Sequence, residues 1–323
     1  MKDRARTIIQ LVCAVILNGY AAGFAGGKIF TGRSKAFCVP VLNCYACPGA
    51  LGSCPIGSLQ HVLGGSRHRV SSYVLGVLML FGVALGRLWC GFVCPFGFVQ
   101  DLIGRIPVRR VKIPRRIDRP LRCVKYIVLA VMVILLPLIA KNPYGIADSF
   151  FCKYLCPAGT LQGGIPLMIA NKTLRPLIGW LFSWKMLVLI LILAATLFIP
   201  RFFCRYLCPL GALYGLFNRF SFYQMSLDRA RCTGCGTCEK VCPMAVELPV
   251  CGAGKESGDR YAVSVGHKEE ASVSAEHKAE TGPVYLVSAE CIRCGRCKAA
   301  CPAGAICSSC GGVAGVKDYR QIT

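Results

Sequence analysis

Eight cysteines near the C-terminus fall into two copies of one run, Cys232-x2-Cys235-x2-Cys238-x3-Cys242-Pro243 and Cys291-x2-Cys294-x2-Cys297-x3-Cys301-Pro302. Four thiols so close together bend the backbone into a tight loop around whatever they bind, and the proline ends that loop. This is the spacing that holds [4Fe–4S] clusters, with the fourth cysteine of each run ligating the cluster of the other. The reading assigns one cluster to Cys232, Cys235, Cys238 and Cys301, and a second to Cys291, Cys294, Cys297 and Cys242. A zinc ribbon is the rival, but it needs two C-x2-C pairs, not two complete runs of four.

Around these runs the expectation is a small α+β domain of the bacterial two-cluster ferredoxin type over residues 223–323. It carries a flexible insertion at 252–282 that is polar and lacks helical periodicity. Six of the fifteen acidic residues lie in it: Glu256, Asp259, Glu269, Glu270, Glu276 and Glu280. A solvated loop is one use for them and contact with a basic partner the other.

Residues 1–222 read as an all-α polytopic membrane domain. Mean hydropathy is +0.53 and 54% of residues are hydrophobic, far from ordinary soluble composition. Apolar stretches at 7–27, 70–88, 123–140 and 177–199 predict four transmembrane helices. The first follows a basic start but lacks a cleavage site with a soluble continuation, so it reads as a retained helix and not a signal peptide. Net charge is +23, and nine Lys or Arg against two Asp crowd residues 101–125. The positive-inside rule then puts this connection and both termini in the cytoplasm and the protein in the cell inner membrane. Lys28, Arg33, Lys35, Arg67 and Arg69, in the connection this places outside, run against the rule. The basic residues flank spans and are not gathered on a soluble module, which excludes a nucleic-acid partner.

Within this region one unit occurs four times: Cys54-Pro-Ile-Gly-Ser-Leu-Gln60, Cys94-Pro-Phe-Gly-Phe-Val-Gln100, Cys156-Pro-Ala-Gly-Thr-Leu-Gln162 and Cys208-Pro-Leu-Gly-Ala-Leu-Tyr214. Three have a further cysteine four positions earlier, Cys90, Cys152 and Cys204, while the first has Cys44 and Cys47 instead. Proline suits the first position of a helix, so each unit predicts a short re-entrant half-helix with its cysteine at the N-terminus. Topology pairs Cys90, Cys94, Cys204 and Cys208 on the inner side, and Cys44, Cys47, Cys54, Cys152 and Cys156 on the outer. The inner four are expected to hold a further cluster and the outer set another, or a redox-active thiol site. Cysteines that merely mark helix starts are the alternative.

With these motifs the chain resembles the membrane-bound polyferredoxins. That family is typified by the membrane quinol-dehydrogenase subunit of periplasmic nitrate reductase, with relatives in nitrous oxide reductase maturation and cytochrome oxidase assembly. The C-x3-C-P units from Cys90 to Pro209 and the runs from Arg231 to Pro302 carry the resemblance. It implies four spans, cytoplasmic clusters, and electron exchange between the quinone pool and partner redox proteins. The outer motif Asn43-Cys44-Tyr45-Ala46-Cys47-Pro48 with Ser53-Cys54-Pro55, and a third C-x3-C-P, depart from its simplest members.

The remaining candidates are thinner. Cys251, Cys307 and Cys310 with a histidine such as His267 would make a zinc site; Cys13 and Cys123 read as buried thiols within spans, and Cys38 as an extra outer candidate. His61 and His68 are candidate acceptors of quinol protons, against the plainer role of loop histidines. Lys185 within a span reads as snorkelling. No C-x-x-C-H haem run occurs. The expected function is membrane-bound electron transfer between a cytoplasmic ferredoxin-type donor or acceptor and a quinone or outer-face redox partner, the chain serving as an oxidoreductase subunit. A redox-sensing regulator or assembly factor, and a thiol- or metal-handling membrane protein, are the alternatives.

Overall fold

The computed structural model describes residues 3–65, 72–111, 113–140, 147–171, 173, 176, 178–228, 231–246, 284–285 and 288–310. The 252–282 insertion, Cys251, His68 and His267 lie outside the described residues, as does the side chain of Cys310.

Apolar runs become helices where expected, though not all of full length. Arg115–Ile139 and Trp180–Phe198 are long and apolar enough to cross a membrane by length and composition, and Ser72–Leu85 is a shorter apolar helix. The first stretch is split into Asp3–Leu17 and Ala21–Gly26. Asn18 ends the first piece by turning its side-chain amide back onto the Ala14 carbonyl at 3.0 Å. Gly23 then lies so close to the Pro48 carbonyl that a Cβ would stand 2.2 Å from its oxygen. The Asp3–Leu17 helix is inverted relative to a soluble one: Arg6 and Gln10 are buried, while Ile8 and Ile16 are 61% and 62% exposed.

Each Cys-Pro unit opens a helix with proline at its first position and an extended cysteine as cap: Pro55–Leu63, Pro95–Ile103, Pro157–Gly159 and Pro209–Phe217. The third continues through a wider π-type turn, Thr160–Gly164, into Ile165–Ala170. One core joins all four units to the long helices.

Beyond them, strand β1 (Tyr223–Leu227) pairs antiparallel with β2 (Val284–Tyr285) and β3 (Ile306–Cys310), in the order β2-β1-β3. Met225, Leu227, Ala305 and Ile306 form a small second core, against which Cys232, Cys238, Cys297 and Cys301 pack. Short helices Thr237–Lys240 and Arg296–Ala300 follow the second cysteine of each run.

Candidate iron–sulfur centres

The repeat explains its own residues. In the two inner units the glycine three places after the capping cysteine turns its backbone N–H onto that cysteine's sulfur, Gly97 to Cys94 and Gly211 to Cys208 at 3.4 Å each, while Cys54 and Cys156 cap their helices without such a bond. A side chain would be crowded at the inner pair. A Cβ on Gly97 would stand 3.1 Å from the Cys90 carbonyl oxygen, and one on Gly211 3.0 Å from Arg87 Nη2.

Cys90, Cys94, Cys204 and Cys208 lie together, all buried and each an electrostatic neighbour of at least one of the others. The two units are tied to each other reciprocally. Arg87 donates to the Cys204 carbonyl at 3.0 Å, and Arg201 to the Cys90 carbonyl at 3.0 Å. Both guanidiniums are almost wholly buried, so each requires a carboxylate. Arg201 takes Asp101 at 2.9 and 2.5 Å, and Arg6 adds to the same carboxylate at 3.0 Å. Arg87 takes Glu290 at 2.9 Å, a carboxylate it shares with Lys125. Burial alone would raise the Asp101 carboxyl, but Arg201, Arg6 and Gln10 overcome that and hold it well below the usual carboxylate range. Arg201 sits in the left-handed region at φ 54°, a strained backbone for a large side chain.

Of the five outer cysteines, four share one cavity. Cys44, Cys54, Cys152 and Cys156 face one another, whereas Cys47 turns its thiol to Asn18 Oδ1 at 3.4 Å. Cys38 pairs with Ser53 and Ser58. The four line a cavity of about 780 Å³ that also receives Lys35 and Lys185. Lys185, read as snorkelling, stands beside Cys44 and Cys152. The two sets, expected at separate faces, lie close together because the half-helices approach each other. The Leu42 backbone N–H, from the loop carrying Cys44, reaches Cys94.

In the C-terminal runs Cys242 stands near Cys291, Cys294 and Cys297. Cys232, Cys238 and Cys301 share the small second core, and Cys235 is exposed beside Thr233 and Thr237. This second run sits on the inner pair. Asn218 donates to the Ser288 and Cys291 carbonyls at 2.9 and 2.8 Å, and Arg293 donates to the Leu85 and Asn218 carbonyls. Arg201 and Arg6 are both electrostatic neighbours of Cys294. Cys307 is exposed on β3, and Cys123 is exposed on its helix instead of buried.

Four cysteines per set is the donor chemistry of a cubane cluster. Among the described residues no group of three or more His, Cys, Asp or Glu is placed to hold one metal ion, and a cubane spreads its four thiolates around a body several atoms across. Burial pushes Cys54 up to about 11 and Cys94 and Cys152 up to about 12. As bare thiols these groups keep their protons, and binding iron would release them.

Comparison with known proteins agrees. The 4Fe-4S binding domain signature matches three times, at residues 72–114, 126–176 and 179–224, and the 4Fe-4S dicluster domain at 231–306. Each of the first three matches encloses one C-x3-C-P unit, and none encloses Cys54. Relatives include the uncharacterized protein MJ0749 of Methanocaldococcus jannaschii, 27% identical over 60% of this chain and 66% of that protein. The ferredoxin-type protein NapH of Escherichia coli is 24% identical over 76% of this chain and 71% of its own length. The regulatory protein NosR of Stutzerimonas stutzeri is 27% identical over 54% and 23%. The chain thus spans about two thirds of the archaeal relative and under a quarter of NosR. No solved structure matches.

Fold and site define a ferredoxin-type iron–sulfur protein whose helical part carries 4Fe-4S signatures of its own. The chain belongs to the membrane-bound polyferredoxin family, and [4Fe–4S] clusters are its cofactors.

Proposed function

We propose that this chain is an electron carrier of the cytoplasmic membrane. It passes electrons between a ferredoxin-type partner in the cytoplasm and a quinone or outer-face redox partner. The observation that carries this reading is contiguity: the Cys291 run abuts the inner cysteines through Arg201, and the inner cysteines abut the outer set through Leu42. Clusters bound at these positions would supply one-electron storage and transfer. The chain's own side chains hold the sites, space them and neutralise their charge. In this reading residues 1–222 cross the bilayer four times with both termini in the cytoplasm. The two long helices support it, being apolar yet only 28% and 17% buried, as a lipid-facing helix is.

The ligand sets proposed are Cys232, Cys235, Cys238 and Cys301; Cys242, Cys291, Cys294 and Cys297; Cys90, Cys94, Cys204 and Cys208; and Cys44, Cys54, Cys152 and Cys156. The cavity at the last set is in the size range of small-molecule sites and is where an acceptor would meet the chain. Anaerobic protein reduced with dithionite is expected to be reoxidised by a quinone analogue over repeated cycles. Cys90→Ser with Cys94→Ser is expected to stop reoxidation while the C-terminal clusters still reduce. A redox-sensing regulator is the second reading, favoured by the name of the NosR relative. It predicts reduction without turnover.

A further inference from the structure

In three of the four repeat units the last residue reaches across to the partner set. Gln100 donates through Nε2 to Cys204 Sγ at 3.1 Å, and Gln60 donates through Nε2 to Cys152 Sγ at 3.5 Å. Gln162 accepts from the Cys44 backbone N–H at 3.0 Å. The fourth unit alone replaces this glutamine, with Tyr214. In the repeat Tyr214 holds the position of Gln100, and given the reciprocal ties between the inner units the thiol that corresponds to Cys204, the target of Gln100, is Cys90. Its surroundings agree: Cys90 and Cys208 of the inner set and Cys54 and Cys38 of the outer loop are the thiols nearest in electrostatic terms. Tyr214 is 0% exposed, and its hydroxyl has no hydrogen-bond partner. Buried tyrosine hydroxyls ordinarily find one.

We infer that Tyr214 is a positioning residue of the inner iron–sulfur site, its hydroxyl held in reserve to donate to the Cys90 sulfur when that sulfur is a thiolate ligand. The inference rests on the cluster reading of Cys90, Cys94, Cys204 and Cys208. A thiolate is a charged and much stronger acceptor than a neutral thiol. Hydrogen bonds to cluster sulfurs favour the more negative, reduced state and raise the potential. Gln100 and Tyr214 then supply one donor from each inner unit. Placed between the inner and outer thiols, Tyr214 tunes the site through which the two sets communicate.

The test is an EPR-monitored redox titration of the anaerobic full-length protein beside Tyr214→Phe and Tyr214→Gln, with iron counted in each. Tyr214→Phe keeps the ring and its packing but removes the donor. One centre is expected to move to lower potential, with about a tenfold rise in its oxidised-to-reduced ratio at fixed potential, equal to about 59 mV for one electron. Its iron–sulfur stretching bands in resonance Raman are expected to shift, and the C-terminal centres to stay fixed. Tyr214→Gln, which restores the residue of the other three units, is expected to return the potential toward the parent. Unchanged potentials in Tyr214→Phe with full iron overturn the inference and leave the cluster reading standing. A parent protein with iron for the C-terminal centres alone overturns both. A shift that Tyr214→Gln reproduces instead of reversing assigns Tyr214 a packing role and overturns the inference.

Discussion

Glu290, the residue immediately before Cys291, accepts a hydrogen bond at 2.9 Å from Arg87, three residues before Cys90. Both are buried, so one ion pair fastens the first cysteine of a C-terminal run to the first cysteine of the inner set. Lys125, from the Arg115–Ile139 helix, binds the other oxygen of the same carboxylate. The pairing fixes how near the two sites lie, and its loss is costly because the guanidinium has nowhere else to go.

Glu290→Ala strands Arg87 and Lys125 without their shared carboxylate, and breaking a buried pair this way costs about 3–5 kcal/mol. Thermal unfolding in detergent should report that loss. The parent's rate of electron passage from C-terminal to membrane centres should fall as well, measured by stopped-flow absorbance.

Gly91→Ala should separate the two regions without touching a charge. Its Cβ would stand 2.6 Å from the Ile292 carbonyl oxygen, a backbone atom that cannot swing aside, at a cost of about 1–3 kcal/mol. The expected phenotype is slowed passage between regions with the full iron complement retained.

Asp101 sets a pH signature. Its carboxyl and that of Glu290 lie below their ordinary values despite burial, because Arg201 and Arg6, and Arg87 and Lys125, surround them. A depressed carboxylate contributes its stability in full above its unfolded pKa of about 4 and loses it as pH falls through the folded value. The melting midpoint should therefore be flat on this account from pH 8 to 5. Asp101→Asn should lower it throughout that range, because Arg201 and Arg6 lose their counter-charge.

The outer set makes a discriminating case. Cys44→Ser, Cys54→Ser, Cys152→Ser or Cys156→Ser should each cost about four iron per chain. Cys47→Ser and Cys38→Ser should cost none, since these thiols are turned to Asn18 and to Ser53 and Ser58.

The cysteine runs and the Cys-Pro caps were legible in sequence because spacing is local: each lies within one loop or helix start. The expected pairing of units came from counting spans. What spacing does not carry is direction, so five outer thiols looked alike until Asn18 claimed Cys47. Helix length was also overread: Asn18 and Gly23 break the first apolar stretch for packing reasons that hydropathy cannot register. Arg87 and Arg201 went unnoticed although both stand three residues before a C-x3-C-P unit. Their carboxylates, Glu290 and Asp101, are far away in sequence, and only the fold brings them close. Tyr214 was visible as the odd residue in a fourfold repeat, but its meaning depends on Gln100 reaching Cys204.

Iron and acid-labile sulfide in anaerobically purified full-length protein test the central claim most directly. Four thiolate sets predict about sixteen iron and as much sulfide per chain. About eight would confine clusters to the C-terminal runs and contradict a conducting path through the membrane part.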